Sequence, residues 1–157
     1  MDDSHLKLNN QICFPIYSVS RLMTKAYKPF LEKMGLTYPQ YLVLMVLWED
    51  DELSVTKIAE RLMLNTNTLS PLLKRMEKMN LINRIRSGKD ERSVNIQLTE
   101  KGKKLKNEAR PIPEKLLSEL LTENIELSDI LQLKEMLNEW IKILSIKTKN
   151  IELTQPL

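Results

Sequence analysis

The spacing of its apolar residues constrains this chain most: helical almost throughout, it changes to a strand period in one place. From Ile12 the apolar positions run Ile12, Ile16, Val19, Met23, Ala26, Phe30 and Met34, in steps of three and four that define one helix face. Pro15 is tolerated only in a first turn, so this helix begins near Cys13, and Gly35 is placed to end it. Thr37-Tyr38-Pro39-Gln40 reads as a capping box, with Thr37 at the N-cap and Gln40 three residues on. It opens a helix over about 39–49 that is apolar nearly all round, and such a helix belongs at the centre of a fold.

The acidic run Glu49-Asp50-Asp51-Glu52 reads as a solvated turn rather than a metal site. Ser54 then caps a short helix with Ile58, Ala59 and Leu62 on one face. Beyond Leu64-Asn65-Thr66-Asn67 a second helix carries Leu69, Leu72, Leu73, Met76 and Met79, which makes the pair a helix-turn-helix candidate. Here the period drops to two. Residues 81–86 and 93–98 flank a polar tip with one glycine, the pattern of a β-hairpin. Thr99 caps a further helix, interrupted at Pro111 and Pro113, and residues 128–147 form a last helix with a wide apolar stripe. The expected fold is mainly α with a small β-wing.

Composition removes several functions. The chain has 157 residues, 42% hydrophobic and 29% charged, enough to bury a core without disulfide or metal. Its longest apolar run, 42–48, is far short of the roughly 20 residues a bilayer requires. Residues 1–5 lack the character of a signal peptide. Cys13 is the single cysteine, so no intramolecular disulfide forms, and a cytoplasmic setting is the natural reading. Three glycines leave no phosphate-cradling loop, and His5 is the single histidine, so Ser-His-Asp chemistry has no material. We therefore expect no enzyme, no cofactor, no metal and no membrane partner.

The net charge of +3 conceals an asymmetry. Residues 74–106 hold eleven basic and four acidic side chains, +7 in all, which leaves −4 for the rest. That positive segment covers the second helix of the pair, the hairpin and the start of the next helix, the footprint of a phosphate-binding surface. In a helix-turn-helix the first turns of the second helix meet base edges in the major groove of double-stranded DNA. Here they offer Asn65, Thr66, Asn67, Thr68 and Ser70, with Lys74 and Arg75 placed for phosphates. Arg84, Arg86, Lys89 and Arg92 would lie on a wing along the backbone or in a minor groove, with Asp90 orienting Arg92.

The run from Asn65 to Glu77, then Lys89-Asp90-Glu91-Arg92-Ser93 and Leu98-Thr99-Glu100-Lys101-Gly102, resembles the MarR family. The resemblance covers about residues 8–147. It implies a winged helix-turn-helix homodimer, joined through its N- and C-terminal helices, that represses transcription at a pseudo-palindromic operator. Residues 1–36 would then be a dimerisation and sensor helix, 37–108 the DNA-binding region and 109–157 the C-terminal dimerisation helices. Asn10-Gln11-Ile12-Cys13-Phe14, Met23-Thr24-Lys25-Ala26-Tyr27-Lys28-Pro29 and Leu36-Thr37-Tyr38-Pro39-Gln40-Tyr41 are similar to the organic-peroxide-sensing, OhrR-type branch. There a lone N-terminal cysteine is the sensor and tyrosines hydrogen-bond its sulfur, which implies that role for Cys13, Tyr17, Tyr27 and Tyr38. With no second cysteine, the oxidised sulfur would end as a mixed disulfide with a low-molecular-weight thiol.

The chemistry of such a site can be argued from the residues too. Peroxides react with thiolate, and a helix N-terminus or hydrogen-bond donors such as Tyr hydroxyls favour that form. Tyr17 lies one turn beyond Cys13. Tyr27 is fourteen residues away, about 21 Å along a continuous helix, so if it contacts a cysteine, that cysteine is a partner subunit's rather than its own. From chemistry alone a lone cysteine among apolar neighbours is most often an inert small hydrophobe; the resemblance favours the sensor. The expected function is a repressor that releases its operator when organic hydroperoxides oxidise Cys13. The alternative is a MarR-type repressor gated by a small aromatic ligand.

Overall fold

The computed structural model describes residues 2–86 and 94–154, with 86 and 148–154 described by their backbone alone. Two short 3-10 turns, Ser4–Leu6 and Leu8–Asn10, precede α1 (Cys13–Lys33), α2 (Tyr38–Glu49), β1 (Leu53–Ser54), α3 (Val55–Leu62) and α4 (Thr66–Lys78). There follow β2 (Ile82–Arg86), β3 (Val94–Leu98), α5 (Glu100–Ala109), α6 (Ile112–Leu120) and α7 (Leu127–Thr154). The chain divides into two units, Met1–Pro113 and Glu114–Leu157. The first groups α1 with the winged helix-turn-helix, whereas the sequence reading set residues 1–36 apart by role. Among the described residues no helix is long and apolar enough to cross a membrane.

Local chemistry sets the helix ends. α1 stops in a Schellman motif: Gly35 takes φ +67°, its N–H donates to Glu32 O at 3.0 Å, and Leu36 N–H donates to Leu31 O at 2.9 Å. Leu31 and Leu36, the apolar positions that accompany this motif, are both buried. α2 opens on the expected capping box, Thr37 N–H donating to Gln40 Oε1 at 2.8 Å. Ser54 Oγ accepts from Lys57 N–H at 3.2 Å to cap α3, and Thr99 Oγ1 accepts from Gly102 N–H at 3.1 Å to cap α5. α4 also ends in a Schellman motif, with Asn80 at φ +58° in the glycine position, Asn80 N–H on Glu77 O and Leu81 N–H on Met76 O.

α2 is central, as its all-round apolarity requires. Tyr41, Val43, Leu44 and Leu47 are buried with Ile58 of α3, Leu69, Leu73 and Met76 of α4, and Ile82 and Ile96 of the wing. The sheet has the order β1-β3-β2, antiparallel throughout, with Ile82 opposite Leu98 and Arg84 opposite Ile96. β1 was not foreseen, because two residues carry no readable period. The acidic run before it is more than a solvated turn. Asp51 Oδ1 accepts the Leu98 N–H at 2.8 Å, and its Oδ2 lies 3.8 Å from the Lys103 ammonium, so the run straps the wing to α5. In the second unit α7 exposes Leu131, Leu133, Met136, Trp140, Ile143 and Ile146, each at 41% or more.

Candidate nucleic-acid interface and cysteine site

Recognition helix α4 buries Leu69, Leu72, Leu73 and Met76, and this fixes what faces away. Asn67, Pro71, Lys74 and Lys78, at steps of four, three and four, form the opposite row, and all four are exposed. Thr66, Thr68 and Arg75 flank that row and are exposed as well. Two of the expected contact residues have duties inside the helix. Asn65 is the N-cap, its Oδ1 accepting from Asn67 N–H at 2.9 Å, and Ser70 Oγ donates to Thr66 O at 2.8 Å. Lys78 was passed over as a site residue, although its spacing from Lys74 places it on the same row. Pro71 is the sixth residue of α4, so the carbonyl of Asn67 receives no helical N–H from it.

Arg84 stands on the face of β2 that also bears Ile82, and Arg86 is the last residue of that strand. Arg84 Nε is buried without a hydrogen-bond partner among the described residues. Lys89, Asp90 and Arg92, expected at the wing tip, lie outside the described residues. The α5 part of the basic segment serves the fold. Lys101 Nζ donates to Met79 O at 3.0 Å, Lys106 Nζ donates to Trp48 O at 2.9 Å, and Lys103 pairs with Asp51 and Glu100. Their charge adds to the positive field, while their ammonium groups pin α5 to α2 and to the end of α4.

Cys13 is a free, exposed thiol at the first residue of α1, with Pro15 in the first turn. Tyr17 follows one turn later, but its hydroxyl accepts from the Arg21 guanidinium at 2.8 Å, and Arg21 also lies 5.4 Å from the Tyr17 ring centroid. Tyr27 and Tyr38 come together elsewhere, at the α1–α2 junction, with ring centroids 5.0 Å apart. Tyr41, which the sequence reading did not single out, joins them at 5.6 and 6.4 Å, and Trp48 meets Tyr41 edge-on at 6.1 Å. Burial raises the pKa of all three phenols, and for Tyr41 the neighbouring phenols help push it up to about 12. They therefore stay protonated donors at neutral pH. α1 runs unbroken past Pro29, so Tyr27 lies about 21 Å from the Cys13 of its own chain.

Two short helices, the second N-capped and exposing a polar row, with a three-stranded wing, define a winged helix-turn-helix of the kind found in transcriptional regulators. The family model for the transcriptional regulators SarA/Rot matches residues 25–109, more than half the chain. The organic hydroperoxide resistance transcriptional regulator of Bacillus subtilis is 56% identical over 113 residues, 72% of this chain and 77% of that one. The HTH-type transcriptional regulator SarZ of Staphylococcus epidermidis is 37% identical over 147 residues, 94% and 93% of the two chains. Reduced AbfR bound to DNA superposes with a TM-score of 0.75 at 34% identity, over 92% of this chain and 99% of that one. AbfR has also been solved overoxidised on DNA and in a disulfide-formed state. The chain belongs to the family of SarA/Rot and MarR-type transcriptional regulators.

Proposed function

We propose that this chain is a homodimeric repressor that leaves its operator when an organic hydroperoxide oxidises Cys13. One observation carries the reading: on a winged helix-turn-helix, a free, exposed thiol stands at the N-terminal residue of a long helix whose apolar residues Phe14, Ile16 and Val19 are also exposed, as is Ile12 at its N-cap. The unfavourable exposure of those residues, and of the α7 stripe, supports a second copy of the chain as their cover. Tyr27 and Tyr38 then serve the partner's sulfur, since their own is out of reach. Similarity to a hydroperoxide resistance regulator and to AbfR, solved in several oxidation states, supports the redox reading.

The chemistry balances with two co-reactants. The Cys13 thiolate attacks the distal peroxide oxygen, an S–O bond forms as O–O breaks, and the alcohol leaves with a proton. The sulfenic acid then condenses with a low-molecular-weight thiol, giving a mixed disulfide and water. No turnover is needed for this, and we read the chain as a regulator rather than an enzyme. In the dimer the two α4 helices would enter major grooves one helical turn apart, about 34–36 Å, so a bulky group at the interface prevents simultaneous docking. On this reading Thr66, Asn67 and Thr68 meet base edges, Lys74, Arg75 and Lys78 meet phosphates, and the strand that carries Arg84 and Arg86 continues the surface.

Gel shifts on DNA from upstream of the gene test this, with wild type and Cys13→Ser, with and without cumene hydroperoxide. Wild type should release the duplex on oxidation and the serine variant should hold it. Release by both overturns the assignment of Cys13. A second reading, gating by a small aromatic ligand, has one observation in its favour. A cavity of about 150 Å³ lies among Tyr41, Met45, Trp48, Lys106, Arg110 and Pro113, apolar with two cations at its edge. Release by an aromatic acid without peroxide would favour it.

A further inference from the structure

Gln40 is a buried polar side chain, 5% exposed, and both ends of its amide are used. Its Oε1 accepts the Thr37 N–H at 2.8 Å as one limb of the α2 cap. Its Nε2 donates across the core to Met79 Sδ at 3.4 Å, and Met79 is the C-cap of recognition helix α4. A thioether is a weak acceptor, so the bond to Met79 adds little stability beyond what the cap already supplies. What the amide adds is a connection. On one side of it, Tyr38 at the first residue of α2 packs against Tyr27 and Tyr41. On the other, Met79 is locked to α4: the Schellman motif closes behind it, and its carbonyl accepts the Lys101 ammonium at 3.0 Å. The amide therefore ties the first turn of α2 to the C-terminal end of the recognition helix.

We propose that Gln40 is a positioning residue that couples the seating of the Tyr27–Tyr38–Tyr41 cluster to the placement of α4. Its use as an outlet for Cys13 oxidation rests on the function proposed above; the coupling itself does not. Coupling free energies are reciprocal, so DNA bound at α4 must stabilise the α2 first turn as much as the cluster steers α4. The test is amide hydrogen exchange at residues 37–41, with and without a duplex from upstream of the gene. Wild type, Met79→Leu and Gln40→Met are compared, with urea midpoints recorded for each. Met79→Leu removes the acceptor while leaving the α2 cap intact. In wild type the duplex should slow exchange at 37–41 by about fivefold or more. In both variants the slowing should fall below about twofold although the duplex is still bound, a change that loss of stability alone does not produce, since each variant is compared with itself. Equal slowing in wild type and Met79→Leu, or none in wild type, overturns the proposal. Failure of wild type to release the duplex with cumene hydroperoxide overturns the Cys13 reading instead and leaves the exchange comparison decisive.

Discussion

Replacing Gly102 by alanine sets two effects of opposite sign against each other. Gly102 is the third residue of α5, and by helix propensity alone alanine would stabilise the protein by up to about 1 kcal/mol. The structure forbids the methyl group. A Cβ built at Gly102 falls 2.2 Å from the Leu81 carbonyl oxygen and 3.1 Å from a Leu98 methyl. The oxygen is backbone and cannot swing aside. Leu81 O already accepts the Thr99 N–H at 3.1 Å, and Leu81 N–H closes the α4 Schellman motif. Relief of the contact therefore moves α5 away from the start of the wing. That strains the 3.0 Å bond from Trp48 Nε1 to Gly102 O. Overpacking of this kind costs about 1–3 kcal/mol, and one weakened hydrogen bond about 1 kcal/mol more. Allowing for the propensity gain, we expect a net loss of about 1–3 kcal/mol in urea unfolding with an unchanged m-value. Duplex affinity should weaken as well, because Leu81 joins the recognition helix to β2. A Gly102→Ala protein as stable as wild type, or more so, would refute the reasoning.

Lys74 and Lys78 share the outward row of α4, and removing either should lower the slope of log affinity against log salt by about one, with sequence preference unchanged. Duplex titrations at several salt concentrations check this, and an unchanged slope would remove that lysine from the phosphate contacts. Tyr41 supplies a pH signature. Burial pushes its pKa up to about 12 from the ordinary tyrosine value of about 10, so its contribution to stability is full below pH 10 and is lost as pH rises towards 12. Urea midpoints measured across that range should fall more steeply in wild type than in Tyr41→Phe.

The fold was legible wherever local chemistry decides it. Pro15, Gly35, Thr37, Ser54 and Thr99 mark helix ends by their own backbone and side-chain preferences, and each stands where its chemistry places it. Features made by distant partners were not legible. Asp51 looks solvated because Leu98, forty-seven residues on, supplies the N–H it accepts. β1 exists only as the neighbour of β3. The same division runs through the candidate site. The outward row of α4 follows from helix period alone, and Lys78 could have been added by that rule. Tyr41 and Gln40 are different: the first is one member of an apolar run until Tyr27 and Tyr38 fold against it, and the second is a capping residue until Met79 arrives at its amide. Both lie on α2, whose apolarity announced a central helix without indicating what it connects. A central helix touches the layers packed around it, so on the proposed coupling a change at the tyrosine cluster of the α1–α2 junction reaches α4 most directly through the polar side chain that α2 buries. Gln40 is that side chain, so substitution there separates the periodic pattern that specifies the fold from the coupling proposed above.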